Sequence, residues 1–122
     1  MAAEENERNR LENKRKACMI KNNNSEICID PSLPLLNLIG KKYTMMVLGV
    51  IGNDSGKRNF NEILDDIPFS SSTIISKRLK DLEKAGIIIK NNDADGITYS
   101  LTELGNSIRK ALIPLLKLME KS

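Results

Sequence analysis

The apolar positions of this chain change period several times, and each change marks an element. Residues 33–50 carry Leu35, Leu36, Leu38, Ile39, Met45, Met46, Leu48 and Val50, which predicts a helix starting near Pro34. Gly40, Lys41 and Lys42 fall inside it, where they bend it or admit a neighbour. Asn53 to Gly56 is turn chemistry. Phe60, Ile63, Leu64 and Ile67 then give a short helix over 59–66, ended by Pro68. Ser70, Ser71, Ser72 and Thr73 are capping residues. They open a stronger helix over 72–85, with Ile75, Leu79 and Leu82 at helical spacing and Gly86 as its stop. Ile87 to Ile89 is a β-branched run, residues 91–96 form a turn, and residues 97–101 alternate at period two. Together these predict a β-hairpin. Thr102 caps a last helix whose apolar positions run from Leu104 to Met119, with Pro114 inside it.

The first twenty residues differ in kind. Glu4–Arg8 and Glu12–Lys16 sit at i,i+4 with the acid first, the better order for a helix. Apolar content is thin, at Leu11, Cys18 and Met19. A charged helical arm is expected over residues 2–20, followed by a linker at 21–25. The organisation read from this is an arm and linker at 1–24, a central domain at 25–101 and a C-terminal helix at 102–122.

The order of helix, short helix, turn, second helix, hairpin and helix is that of a winged helix-turn-helix. The fold class expected is mainly α with a small β-hairpin, its N- and C-terminal helices forming a dimer interface. The helix over 72–85 buries one stripe and presents Thr73, Ser76, Lys77 and Lys80 on the other side. A helix fits the major groove of B-DNA, where such side chains reach base edges and phosphates. Ser71 and Ser72 stand at its start, where a helix N-terminus favours an anion. Lys90 and Asn92 of the hairpin are placed to touch the adjacent backbone or minor groove. Lys57 and Arg58 precede the short helix; they are expected to clamp phosphate or to form a short strand against the hairpin. For Arg78, a phosphate contact and an internal ion pair with Glu62, Asp65 or Asp66 are both open.

Composition narrows the chemistry. Aromatics are 3% with no Trp, so the core is aliphatic and stacking on single-stranded RNA is disfavoured. The chain contains no His, which removes the commonest general base and metal ligand. No phosphate-cradling glycine loop is visible, and the best carboxylate pair, Asp65-Asp66, reads as the end of a helix. No enzyme, metal site or cofactor is expected. The net charge is +3, yet Asn53 to Ser100 carries seven bases and eight acids. DNA binding must then rely on the local cationic face of the 72–85 helix. Two cysteines, Cys18 and Cys28, are too few for a disulfide framework. They read as small packing residues in a reducing compartment, and no signal peptide or membrane span is visible. A cytoplasmic protein is expected. The final helix carries Ile108, Leu112, Leu115, Leu116 and Met119, more apolar surface than one side of a monomer needs. With Leu11 of the arm, these are the residues expected at a homodimer interface.

Four segments resemble the HxlR-type winged-helix regulators, relatives of the MarR family. They are LNLIGKKYT at 36–44, RNFNEI at 58–63, SKRLKDLEKAGI at 76–87 and YSLTELG at 99–105, in the family's order. The resemblance covers about residues 28–119. It implies a homodimeric transcriptional regulator bound to a pseudo-palindromic site in double-stranded DNA. Members often carry a Cys-Pro pair before the first helix; Cys28 is the nearest match and so the candidate redox residue. A protein–protein module and a thiol-based redox-sensing regulator are the alternative functions.

Overall fold

The protein is described by a computed structural model over residues 17–54 and 56–122. The chain divides between residues 37 and 38 into two compact units.

In the first unit, strands β1 (Ala17–Asn22) and β2 (Ser25–Ile29) form an antiparallel hairpin. Its two-residue turn is Asn23-Asn24, with Asn23 at φ 56°, the left-handed backbone that short hairpin turns need and Asn tolerates. Ser25 Oγ donates to Asn22 O across the turn, 2.8 Å. Cys18 and Cys28 are joined in a disulfide between the two strands. This corrects the reading of both as small packing residues, since each lies on the exposed hairpin. It also corrects the expected arm and linker: residues 17–22 are strand, and pairing runs across the boundary drawn at residue 24. The physical reason is that residues 17–20 hold no i,i+4 charge pair, whereas the polar Asn23-Asn24 step turns the chain back on itself. The remainder of the expected arm, Leu11 included, lies outside the described residues.

Helix α1 (Pro34–Ile39) begins at its proline, as expected. The single helix expected over 33–50 is two, because Tyr43 adopts φ 72° and interrupts the helical path before α2 (Thr44–Ile51). Apolar on nearly every side, α2 is the central helix of the second unit. It packs against α3 (Phe60–Asp66), α4 (Ser72–Lys84), α5 (Glu103–Glu120) and strand β5 (Gly96–Leu101). The core is aliphatic: Leu38, Val47, Leu48, Ile51, Ile63, Ile67, Ile75, Leu79, Leu82, Ile87 and Ile88 are all buried.

Local chemistry sets the element ends. Asn59 and Glu62 form a reciprocal capping box at α3, with Glu62 N donating to Asn59 Oδ1 (2.8 Å) and Asn59 N to Glu62 Oε1 (3.0 Å). Helix α4 closes in a Schellman motif. Ile87 N donates to Leu82 O and Gly86 N to Glu83 O, and Gly86 supplies the left-handed residue at φ 76°. Thr102 Oγ1 accepts from Gly105 N at the start of α5 (3.1 Å).

Strands β3 (Lys57–Asn59), β5 and β4 (Ile88–Asp93) lie in that order in one antiparallel sheet. The short strand expected at Lys57-Arg58 therefore forms, paired to β5 with Arg58 opposite Tyr99.

Helix α5 is fastened at two points. Arg109 Nε donates to Gly49 O in the last turn of α2 (2.9 Å), and its Nη2 to Asn53 Oδ1 (3.2 Å). A Cβ on Gly52 would run into that guanidinium. Nearer its start, α5 rests on the chain entering β4, where a Cβ on Gly105 would collide with the Ile87 carbonyl oxygen. Gly105→Ala is expected to cost about 1–3 kcal/mol as overpacking, read as a lower midpoint in thermal or denaturant unfolding. An unshifted midpoint would show that α5 and β4 separate at no cost.

Candidate nucleic-acid interface

The candidate surface is built on α4. Ile75, Leu79 and Leu82 turn into the core, which leaves Thr73, Lys77 and Lys80 on the opposite, exposed side and Ser76 half-buried at its edge. Ser72, Thr73, Ser76, Lys77 and Lys80 share an open groove of about 540 Å3 with Phe60, the first residue of α3. These are the hydroxyls and ammonium groups expected on the recognition helix; Phe60 was read only as an apolar position of the short helix. A lone aromatic at helical spacing carries no signal that separates a groove wall from a core residue.

Ser71 is the N-cap of α4, yet its side chain makes no capping hydrogen bond. Its exposed hydroxyl is not committed to the helix in the way that those of Asn59 and Thr102 are to theirs. Ser70, by contrast, donates to Ile67 O at 2.6 Å.

The hairpin of β4 and β5 stands beside α4. Lys90 and Tyr99 join Ser76, Leu79, Lys80 and Glu83 around a recess of about 100 Å3, so the wing lysine and the helix lysine meet in one place. Cross-strand partners share a face, as do every second residue along a strand. Lys90 with Tyr99 and Asn92 with Ile97 therefore occupy the face that looks toward α4. Asp93, paired with Gly96, falls on the other face, beside Asn91, whose side chain donates to Thr98 Oγ1 and Ser100 Oγ. Asp95 sits in the two-residue turn between the strands.

Arg58 lies elsewhere. Its side chain is 11% exposed and is gripped by Asp54 (3.3 Å), Glu62 (3.4 Å) and Asp66. The expectation that it clamps phosphate is corrected: three carboxylates surround the guanidinium and hold the start of α3 to the preceding turn. Arg78 is internal as well, but through other partners than those considered. It pairs with Asp81 at 2.9 Å and donates from Nε to Lys42 O. Lys41 and Lys42 are exposed. Cys28, the candidate redox thiol, is bonded to Cys18 and has no thiol to ionise. Among the described residues no group of His, Cys, Asp and Glu could hold a metal ion, and no helix is long and apolar enough to cross a membrane.

The helix-turn-helix of α3 and α4, followed by the β4–β5 wing, matches the family model of the HxlR-like helix-turn-helix over residues 38–122. The chain belongs to the HxlR family. It is thus a DNA-binding regulator of the helix-turn-helix type, with a winged fold. A possible HxlR family transcriptional factor from Thermoplasma volcanium superposes with a TM-score of 0.80 at 46% identity, covering 86% of this chain and 94% of that one. The uncharacterised HTH-type transcriptional regulator sll1512 of Synechocystis is 33% identical over 95 residues, 74% of this chain and 67% of its own length. The uncharacterised regulator YvaP of Bacillus subtilis is 32% identical over 98 residues, covering 77% and 83% of the two chains.

Proposed function

We propose that this HxlR protein controls transcription as a homodimer, each copy placing α4 in a major groove of duplex DNA. The observation that carries the reading is the groove-lining set Ser72, Thr73, Ser76, Lys77 and Lys80, opposite the buried stripe of the same helix. Hydroxyls and ammonium groups at that spacing serve base edges and phosphates. Ser71 adds a hydroxyl at the helix N-terminus. Lys90 and Asn92 extend the contact along the wing to the neighbouring backbone or minor groove, with Asp93 turned to the far face. The protein performs no catalysis in this reading and works in the cytoplasm.

The dimer is supported by α5. Ile108, Leu112 and Leu116 are half-buried, and Leu115 and Met119 are exposed, at 41% and 46%. Leu104 and Leu118 are exposed too and continue the apolar surface along the helix. Covering such a surface is the ordinary reason for a helix to carry it.

The test is selection of bound sequences from random duplexes, with sedimentation to count the copies. The expected result is a palindrome with half-sites about 34 Å apart, one turn of DNA. Affinity for the selected duplex should fall with salt, with a log–log slope near −0.9 per phosphate neutralised. No binding even at low salt would overturn the reading and leave a protein–protein module in its place.

A further inference from the structure

The turn that joins α3 to α4 holds a residue unfavourable in two independent ways. Phe69 has φ 67°, the left-handed region, which is strained for a bulky L-residue and free of cost only for glycine. Its side chain is 101% exposed, so the ring packs on nothing. Neither the backbone nor the ring of Phe69 helps this protein to fold. Strain kept in place by its surroundings marks a position held for another purpose.

The surroundings hold the turn firmly and aim the ring outward. Tyr43 Oη donates to the Phe69 carbonyl at 3.4 Å, so the main chain is anchored while the side chain is not. Ser70 Oγ ties back to Ile67 O. Phe69 stands two residues before Ser71, the N-cap of α4, and the exposed Ser71, Ser72 and Thr73 follow after Ser70. On its other side is the Lys42–Tyr43 step, with the Lys42 ammonium 5.1 Å from the Tyr43 ring centre. The exposed ring thus projects from the turn just ahead of the N-terminus of α4, the end that the reading above places in the major groove. Recognition helices make their base contacts from that end, beside the sugar-phosphate wall of the groove.

We propose that Phe69 is a DNA contact, its ring packing on hydrocarbon of the duplex at the edge of the groove that α4 enters. Two parts of DNA offer that chemistry: the deoxyribose carbons and the thymine 5-methyl group. The inference rests on the DNA-binding reading above.

The experiment uses the full chain and the duplex that it selects. Phe69→Gly relieves the backbone, and Phe69→Asn keeps a side chain that tolerates the same φ. Both variants should melt no lower than the parent yet bind the selected duplex about tenfold more weakly, as expected for uncovering part of a phenyl ring. Their salt slope should stay that of the parent, because no phosphate contact is removed. A duplex with deoxyuridine in place of thymidine separates the two sources. If the methyl group is the partner, the parent loses affinity on that duplex and the variants do not. If the sugar is the partner, the substitution shifts parent and variants alike. Unchanged affinity in both variants would overturn the proposal while leaving the DNA-binding reading intact. Failure of the parent to bind any duplex would overturn that reading instead.

Discussion

Leu79→Ala is expected to lower the unfolding free energy by about 2–5 kcal/mol, the range for truncating a buried leucine. Leu79 is 2% exposed, in the middle of the stripe that Ile75 and Leu82 complete. Its neighbours in the core are aliphatic side chains already in close packing, which relax only in part around the space left behind. For a domain of this size roughly 4–8 °C of melting temperature goes with each kcal/mol, so the midpoint should fall by roughly 10 °C or more. Denaturant unfolding followed by circular dichroism measures it. A variant as stable as the parent would mean that α4 buries a different face. The lysines assigned to DNA would then be wrongly placed along with it.

Lys77→Ala makes the complementary change on the opposite side of the same helix. Lys77 is exposed, so stability should move by no more than about 0.5 kcal/mol. DNA affinity should fall by about 1–3 kcal/mol, roughly 5- to 150-fold, if the ammonium reads a base edge. In that case sequence preference relaxes at one position of each half-site. A loss that is uniform over sequences, with a salt slope smaller by about one, would assign Lys77 to phosphate. Binding unchanged at all salt concentrations would remove Lys77 from the interface. The two variants together distinguish a damaged fold from a damaged surface. The first should alter unfolding, and the second only binding.

Arg58 and Lys77 illustrate how far a list of cations goes. Both were expected at DNA, Lys77 from α4 and Arg58 from strand β3 just ahead of α3. One is exposed in the groove, and the other is enclosed by Asp54, Glu62 and Asp66. Asp66 is eight residues from Arg58, beyond the i,i+3 and i,i+4 spacings that can be read along a helix. The turn before β3 and the path of α3 bring these acids to one place, and no window of sequence contains that fact. Arg78 behaves similarly, since its contact with the Lys42 carbonyl spans 36 residues. Phe69 is the converse case. Its place at the head of the capping run before α4 says nothing of its backbone, and the left-handed φ and full exposure belong to the fold.

What the sequence determined by itself are the features whose causes are local. Period 3.6 in residues 72–85, the Pro68 and Gly86 stops, the alternation at 97–101 and the Thr102 cap each act within a few residues, and the elements follow from them. Their order along the chain sufficed for the winged helix-turn-helix. The tertiary structure decided what depends on distance through space. It broke the expected first helix at Tyr43, paired residues 17–22 with 25–29 as a disulfide-bonded hairpin, and chose which cations remain exposed. A charge is available to DNA only if no carboxylate from elsewhere in the chain reaches it first. Composition counts the acids, but only the fold places them.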